Sequence, residues 1–291
     1  MKSIIVFTIM AISSGYCFGQ ADSAVEATDS IRAKSTVTLG AVYANDASYY
    51  GQKASESTPY VAIAANYQLT SGIYFTAQSY KLLNENTSTV SAVSLGAGVG
   101  FNLSKNLSAD LSYNHSFYPE YSPLLQAANL DNASISLSYD GWIKPALTGD
   151  YAFGKTSDAF VTGAVSKAIN LFSIGNKDIV TITPSADVVA GTQHFYQTYV
   201  TKKKIRDSLL GILTGPPFGN PPAGNNNGNN TNTVETTDFN ILSYNFKLPL
   251  AYNRPHYVLE AAYQLSLLSN HVEAAPGTVN SFLTFSFYYQ F

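Results

Sequence analysis

The sequence predicts an all-β protein, namely a transmembrane antiparallel up-and-down β-barrel of about 12 strands. Three observations support this fold class. Segments in which apolar and polar residues alternate recur along the chain, as they do in strands. No segment has the roughly 20 consecutive apolar residues that a transmembrane helix requires. Charged residues make up only 12% of the chain, whereas a soluble domain has about 25%. A barrel needs few charges because half of each strand faces lipid.

Each predicted strand has one apolar face, which we expect to contact lipid. In the fourth strand, Val93 and Leu95 alternate with Ser94 and Gly96. In the tenth, the apolar face is Leu242, Tyr244, Phe246, Leu248 and Leu250. The predicted strands are Thr36–Ala44, Tyr60–Leu69, Ile73–Leu83, Val90–Leu103, Leu107–Phe117, Ala133–Tyr139, Ala146–Phe153, Ala159–Phe172, Ile179–Ala190, Ile241–Tyr252, Tyr257–Leu268 and Ser281–Phe291.

The links between these strands alternate in length. Links after even-numbered strands are short: Thr70–Gly72, Ser104–Asn106, Asp140–Pro145, Ser173–Asp178 and Asn253–His256. Links after odd-numbered strands are mostly longer: Asn45–Pro59, Asn84–Thr89, Tyr118–Asn132, Gln193–Asn240 and Ser269–Ser281, with Gly154–Asp158 as the exception. This alternation and the even strand count are typical of single-chain barrels with both termini in the periplasm.

The last strand carries the most specific signal. Phe285, Phe287, Tyr289 and Phe291 share one face and end the chain on an aromatic residue. This resembles the final strand of bacterial outer-membrane β-barrels. The resemblance implies that these four residues form the insertion signal read by the barrel-assembly machinery. It also implies that lipid and lipopolysaccharide of a Gram-negative outer membrane surround the protein.

The chain is predicted to have three parts. Residues 1–19 read as a signal peptide, with Lys2 followed by the apolar run Ile4–Ile12. Residues 20–35 form a short periplasmic tail, and residues 36–291 form the barrel with a long extracellular loop at 193–240. Within that loop, residues 214–234 are rich in Asn, Gly and Pro. Such a segment buries too little apolar surface to fold, so we expect its removal to leave heat stability nearly unchanged.

Strand parity places a set of charged residues inside the barrel, namely Asp110, Asp140, Asp150, Asp187, Lys247 and Glu260. Tyr60, Tyr74, Tyr80 and Tyr288 also face inward and would narrow a channel. Charges in a narrow lumen either pair or line water. Two interpretations therefore remain open: a water-filled pore, or a structural network in which Lys247 pairs with Glu260 or Asp187.

Aromatic residues gather at the predicted periplasmic strand ends, where rings can sit at headgroup depth. They are Tyr67, Phe101, Tyr139, Trp142, Tyr252, Tyr257, Tyr289 and Phe291. Lys167 fits poorly, since it shares the apolar face of the eighth strand with Val165 and Ile169. Either a bulge near Ala168 turns Lys167 inward, or its long side chain reaches the interface.

The search for catalytic chemistry is negative. Gly96, Gly98 and Gly100 lie inside a strand, so they do not form a phosphate loop. The four histidines lack metal-ligand spacing, and His115 and Ser116 are adjacent, unlike the pair of barrel phospholipases. The sequence predicts no enzyme, no metal, no cofactor and, with a net charge of −3, no nucleic-acid partner.

The predicted function is therefore a small passive pore for small solutes, or a structural barrel. Two alternatives are a surface-exposed binding or adhesin-type barrel and a membrane-embedded hydrolase. The sequence leaves the transported solute and the oligomeric state undecided.

Overall fold

The computed structural model describes residues 8–9, 16–17, 35–85, 89–120, 122–154, 156–203, 238–273 and 275–291. Two short strands, Thr8–Ile9 and Tyr16–Cys17, pair antiparallel near the N-terminus. The rest of the predicted signal peptide, the tail at 20–34 and the Asn-rich segment at 214–234 lie outside the described residues. Their assignments stay predictions.

Twelve barrel strands follow, with two of them interrupted. Their bounds are β1 Thr36–Ala44, β2 Tyr60–Gln68, β3 Ile73–Leu82, β4 Ala92–Asn102, β5 Leu107–Phe117, β6 Asp131–Tyr139, β7 Lys144–Phe153, β8 Ser157–Ser166 with Ile169–Phe172, β9 Ile179–Ile182 with Ser185–Gly191, β10 Asn240–Asn253, β11 Tyr257–Leu268 and β12 Val279–Gln290. The alternating pattern therefore predicted every barrel strand, with errors confined to the strand ends and the two interruptions.

The sheet closes on itself. Each strand pairs antiparallel with its sequence neighbours, and β12 pairs with β1 from Thr284–Ala44 to Gln290–Thr38. Gly40 leaves room for the Tyr288 ring between β1 and β12, because a Cβ on residue 40 would lie 2.8 Å from that ring. The predicted all-β up-and-down barrel of 12 strands is confirmed. Closure leaves no open sheet edge, so all strand backbone groups can pair within the bilayer.

The two faces of the wall differ as the alternation predicted. Outward positions such as Ile63, Leu95 and Phe285 are exposed, whereas most inward positions are small, polar or tyrosine. Leu242 is an exception: it was predicted to face lipid but is fully buried. The pairing between β9 and β10 shifts register there, so that Ile241 and Ser243 flank an unpaired Leu242. A bulge of this kind turns one residue to the other face.

The interruptions in β8 and β9 lie side by side. Lys167 and Ala168 separate the two segments of β8, and Lys167 N–H donates to the carbonyl of Pro184, which separates the segments of β9. Proline cannot donate to the ladder, so the pairing breaks at this point. The Lys167 ammonium lies 3.6 Å from the Trp142 ring centre. This contact favours the interpretation in which Lys167 reaches the interface.

The two ends of the barrel are named here by their connections. The turn end holds the links after even-numbered strands, together with the start of β1 and the end of β12. The loop end holds the segments 45–59, 83–91, 118–130 and 269–278 and the stretch after β9, as far as these are described. The loop end also contains a 3-10 helix, Leu125–Ala128, and helical residues 194–203. Of the described helices, none has the length and apolar character to cross a membrane.

Candidate functional site

The barrel encloses a cavity of about 820 Å³. All six charged residues predicted for the lumen line it: Asp110, Asp140, Asp150, Asp187, Lys247 and Glu260. Asp46, Lys105 and Lys144 line it as well, which the sequence analysis did not identify. Asp46 was missed because it lies in a link, where strand parity gives no direction. Lys105 was missed for the same reason, and Lys144 because the strand was predicted to start later.

Hydroxyl and amide side chains form most of the wall on β4 to β7. Strand β6, for example, turns Asn132, Ser134, Ser136 and Ser138 toward the cavity. Ser108 and Ser138 join across β5 and β6, with their hydroxyl oxygens 2.7 Å apart. Short polar side chains occupy little volume, so this half of the wall leaves space for water.

The glycines of β4 allow side chains of the neighbouring strands to approach its backbone closely. A Cβ at Gly98 would lie 2.4 Å from the Tyr74 ring, and one at Gly96 would lie 1.9 Å from the Asn114 amide oxygen. The inward side chains of β3 and β5 therefore lie over the bare backbone of β4. The alternating glycines allow large neighbours to fit inside a narrow barrel.

One ion pair lies deep in the lumen. The Lys247 ammonium is 3.3 Å from Asp187 Oδ1, and the Asn245 amide donates to Asp187 Oδ2 at 2.6 Å. The structure thus places Lys247 beside Asp187, one of the two partners considered from the sequence. A second pair, Lys144 with Asp140 at 2.8 Å, lies at the turn end.

Among the remaining acids of the lumen, Asp46 lies 3.9 Å from the Lys53 ammonium, and the other three lack a basic partner among the described residues. Asp110 accepts a hydrogen bond from the Tyr74 hydroxyl at 2.8 Å. Asp150, which is 5% exposed, accepts one from Ser134 at 2.7 Å. The Oε1 atom of Glu260 has no hydrogen-bond partner in the described part of the chain. The inner wall therefore carries more negative charge than Lys247 neutralises.

Four tyrosines narrow the lumen on strands β2, β3 and β12. Tyr60, Tyr74, Tyr80 and Tyr288 are all buried inside the barrel. The Tyr60 and Tyr80 rings lie 5.9 Å apart in an edge-to-face arrangement, which is favourable for aromatic pairs. The lumen is thus narrowest in side-chain terms beside β2, β3 and β12, and the small polar side chains of β4 to β7 leave more space.

At the loop end the segment 45–59, here called the inward hairpin, folds into the barrel. Tyr49 and Gln52 pair across its tip, and Tyr50 and Gly51 both have positive φ angles, of 51° and 81°. The wall fixes this tip, because Ser243 donates to the Tyr50 carbonyl and Asn280 to the Gly51 carbonyl. A tight turn with two positive φ values favours glycine at one of them, and Gly51 supplies it.

An aromatic cluster covers the inward hairpin. The Tyr50 and Phe160 rings stack with centres 3.8 Å apart, and the Tyr49 and Phe195 rings meet edge to face at 4.9 Å. Burial raises the pKa of both Tyr49 and Tyr50 well above the usual value of a phenol. These hydroxyls therefore stay neutral, and the cluster closes the loop end as an apolar layer.

Asp158 holds the helical residues 194–203 over this layer. Its carboxylate, 1% exposed, accepts the backbone N–H groups of His194 and Phe195 at 2.8 and 2.9 Å. It also accepts hydrogen bonds from Thr192 and Asn129. A carboxylate at a helix N-terminus satisfies N–H groups that the helix leaves free. The sequence analysis placed Asp158 in a link and missed this role, since the helix starts 36 residues later.

The predicted insertion-signal residues lie on the outer face near the turn end. Phe285, Phe287 and Phe291 are exposed, at 48%, 41% and 67%. Tyr289 lies beside Phe291, with ring centres 4.7 Å apart. The Phe291 N–H donates to the Val37 carbonyl, so the last residue extends the seam between β12 and β1.

The described residues hold no cluster of three or more potential metal ligands. His115 and Ser116 point to opposite faces of β5, with the His115 ring against outward Phe117 and the Ser116 hydroxyl against inward Ser94. These two residues therefore do not form a catalytic pair.

Residues 6–138, a little under half of the chain, match the family described as "Porin subfamily". No curated protein matches the sequence. Among solved structures, the "KdgM porin" aligns over 87% of this chain and 99% of its own, with 6% identity and a TM-score of 0.48. The "Bacterial polysaccharide outer membrane secretin" aligns over 90% and 99%, with 9% identity and a TM-score of 0.45. A "NanC porin" structure aligns over 87% and 98%, with 7% identity and a TM-score of 0.44.

The porin-subfamily match covers the first strands of a closed barrel. The outer face of that barrel is an apolar belt that can contact lipid. The chain is a transmembrane antiparallel β-barrel of 12 strands, and over residues 6–138 it is similar to the porin subfamily.

Proposed function

We propose that the barrel is a passive pore for small solutes, without enzymatic activity, and that it prefers cations. The observation that carries the proposal is the cavity of about 820 Å³, because it runs along the polar half of the wall and contains the predicted lumen charges. A purely structural barrel of this width could fill the same space with apolar side chains.

Access to this cavity differs between the ends. Its lining reaches Ser104, Lys105 and Asn106 in the turn between β4 and β5, so water enters at the turn end. At the other end the lining includes Tyr49 and Tyr50 of the inward hairpin together with Gln126 and Asn129 of the segment 118–130. We place both termini, and therefore the open turn end, in the periplasm, which is the usual arrangement for barrels with short turns on the side of the termini. The inward hairpin then forms the narrowest part of the path.

Cation preference follows from the wall charges. Lys247 is compensated by Asp187, which leaves Asp110, Asp150 and Glu260 without a basic partner among the described residues. Fixed anionic charge in a low-dielectric lumen raises the local concentration of cations. Neutral solutes would pass by diffusion, and anions would be disfavoured.

Planar-bilayer recording of the purified full chain tests the proposal. We expect discrete conductance steps, a reversal potential in a salt gradient that indicates cations, and a weaker preference at high salt because screening shortens the reach of the wall charges. A folded sample should also migrate differently on a detergent gel before and after boiling. Anion-selective current would refute the proposed wall charge.

A plugged structural barrel is the second candidate, and one observation favours it. The stacked rings of Tyr50 and Phe160 and the helical residues above them close the loop end. If folded, heat-modifiable protein gave no current at any voltage, this second candidate would replace the pore.

A further inference from the structure

Glu260 and Ser286 form a pair of polar side chains on the inner wall, toward the turn end. They lie opposite each other on β11 and β12, and directly opposite residues of a sheet share a face, with Cβ atoms about 4.5–5.5 Å apart. Glu260 lines the cavity, so Ser286, which is 6% exposed, also points inward. Since β11 begins at Tyr257, this pair lies about 10 Å along the strand from the turn end.

Each of these side chains has a buried oxygen atom that lacks a hydrogen-bond partner. Glu260 Oε1 and Ser286 Oγ are both without one in the described part of the chain, so the two neighbours do not bond to each other. A buried carboxylate costs free energy unless a charge or hydrogen bonds compensate it. The two oxygens face the same part of the lumen, where a single donor group would satisfy both.

Lys247, the basic residue of the lumen on the neighbouring strand β10, does not compensate Glu260. It pairs in register with Gln264, four residues farther along β11, which is about 13 Å along the strand. Its ammonium group already lies 3.3 Å from Asp187 Oδ1. A positively charged ligand would therefore supply at Glu260 what Lys247 does not.

Small apolar side chains surround this polar pair. Ala251 lies opposite Glu260 on β10, and Val42 lies opposite Ser286 on β1. Ala262 is the next inward residue of β11 and also lines the cavity. These side chains leave space beside the two oxygens and offer carbon surface to a short alkyl chain. An apolar surface with a few polar groups is the usual composition of a small-molecule site.

The atoms at this site favour an ammonium group over a divalent metal ion or a neutral solute. Ca²⁺ and Mg²⁺ take about six or more oxygen ligands, whereas the described residues hold no cluster of three or more potential metal ligands. A neutral solute or a water molecule would donate hydrogen bonds but bring no charge to Glu260. A primary ammonium group brings the charge and offers N–H donors to both oxygens at once.

We infer that Glu260 and Ser286 bind the ammonium group of a small primary amine, whose alkyl chain lies against Ala251, Ala262 and Val42. The ammonium group donates to Glu260 Oε1 and to Ser286 Oγ. The inference deepens the proposed function and rests on it for the role of the site, which holds a protonated amine on its way through the lumen. Binding itself requires only access from the turn end, so it is measured separately from current.

Isothermal titration calorimetry of the folded full chain in detergent tests the inference, with butylammonium chloride as the probe and tetramethylammonium chloride as the reference. Both ions carry one positive charge, but only butylammonium has N–H donors. We expect the wild type to bind butylammonium at least about tenfold more tightly than tetramethylammonium. Equal affinities for the two ions would overturn the inference.

Bilayer recording of the same preparation separates this site from the proposed pore. Butylammonium binding without any current would support the site and refute the pore. Current without a preference for butylammonium would overturn the site and leave the pore standing.

Variants separate the site from general attraction by the wall charges. Glu260→Gln keeps the size of the side chain but removes its charge, so the affinity for butylammonium should fall at least about tenfold. Ser286→Ala removes one acceptor and should lower the affinity by roughly threefold. Asp110→Asn removes an acid of the lumen on β5, away from β11, and should lower the affinity by less than about twofold.

The heat-modifiable gel shift checks that each variant is folded. If Glu260→Gln does not fold, Ala262→Leu provides the test, because its larger side chain fills the space beside the two oxygens and should also lower the affinity at least about tenfold. An unchanged affinity in the folded variant, or an equal loss in Glu260→Gln and Asp110→Asn, would overturn the inference.

Discussion

The two ends of the barrel are built differently. At the loop end, the inward hairpin, the Phe160 and Phe195 rings and the helical residues 194–203 form successive layers over the lumen. At the turn end, the connections are short and the lining residues are polar, among them Lys105, Asp140 and Lys144. One end is packed like a protein core, and the other is lined by polar and charged side chains.

Sequence length at each end explains the difference. A short turn between adjacent strands has no residues to spare for a fold of its own. The longer links can bring apolar residues such as Tyr49 and Phe195 back over the wall, where burial offsets the ordering of the chain. In this barrel the longer links therefore cover the lumen, while the turn end holds the end of β12 beside the start of β1.

The largest expected effect concerns assembly at the turn end. Phe291→Asp, or deletion of Phe291, removes the last aromatic residue of the seam and its ring contact with Tyr289. We expect membrane-inserted protein to fall by at least about tenfold, which corresponds to roughly 1.4 kcal/mol if insertion is at equilibrium. Outer-membrane fractionation with quantitative immunoblotting measures the effect.

Phe291→Tyr is the matched control, since it keeps the ring, and it should insert normally. Normal insertion of Phe291→Asp would mean that the terminal aromatic residue does not act as the predicted signal.

The second effect concerns the closed loop end. Asp158→Ala leaves the buried N–H groups of His194 and Phe195 without their acceptor, and each unsatisfied donor costs about 1–3 kcal/mol. The helical residues should then separate from the aromatic cluster. We expect larger single-channel conductance, with the heat-modifiable gel shift retained. Channel recording of wild type and variant side by side measures this.

The control for that experiment is Asp178→Asn at the turn end, which should not change conductance. If Asp158→Ala conducted no more than the wild type, the layers above the hairpin would not limit access.

The third effect tests the charge inside the lumen. Asp187→Asn removes the partner of Lys247 and shifts the wall by one positive charge. We expect the cation-over-anion permeability ratio to fall by roughly threefold to tenfold, the scale on which local fixed charge changes counter-ion concentration. Reversal potentials in a salt gradient give the ratio. The double variant Asp187→Asn with Lys247→Met should restore part of the cation-over-anion ratio, because it also removes the unpaired positive charge. An unchanged ratio in Asp187→Asn alone would show that ions do not pass this pair.

The two ends also differ in how far the sequence predicts them. The strands of the wall could be predicted, whereas the packing of the loop end could not. Strand number, closure and the inward direction of residues such as Asp150 and Lys247 followed from alternation, because the pleat fixes the face of every residue. Leu242 was misassigned because a bulge breaks that parity. The interruption at Lys167 had a visible signal in Pro184, which has no N–H to donate to the neighbouring strand.

The closed loop end could not be predicted in the same way. Asp158 and Phe160 lie close to Phe195 because β8 pairs with β9 as far as Phe160 and Gly191, but the alternating pattern did not indicate the helical residues that follow β9. A Tyr49-Tyr50-Gly51 tip in a long link was a weak signal of a tight turn, but its inward direction depends on Ser243 and Asn280, far along the chain.

The smallest expected effect concerns a turn at the open end. Asp178 accepts the N–H groups of Gly175 and Ile174 and the Tyr252 hydroxyl at 2.9 Å. The hydrogen bond from Gly175 contributes most to lowering the pKa of this carboxyl. The folded-state pKa of Asp178 lies below the unfolded value, which is about 3.9. Its charged form therefore stabilises the fold above the unfolded pKa, and this stabilisation is lost as pH falls through the folded pKa.

Asp178→Asn should therefore lower the unfolding midpoint in detergent slightly at pH 7, and the difference from wild type should shrink toward pH 2. Because Asp178 is only partly buried, whereas Asp158 is 1% exposed, the shift should be smaller than that of Asp158→Ala. A larger loss in Asp178→Asn would mean that the turn end, not the loop end, is the more tightly organised part of the barrel.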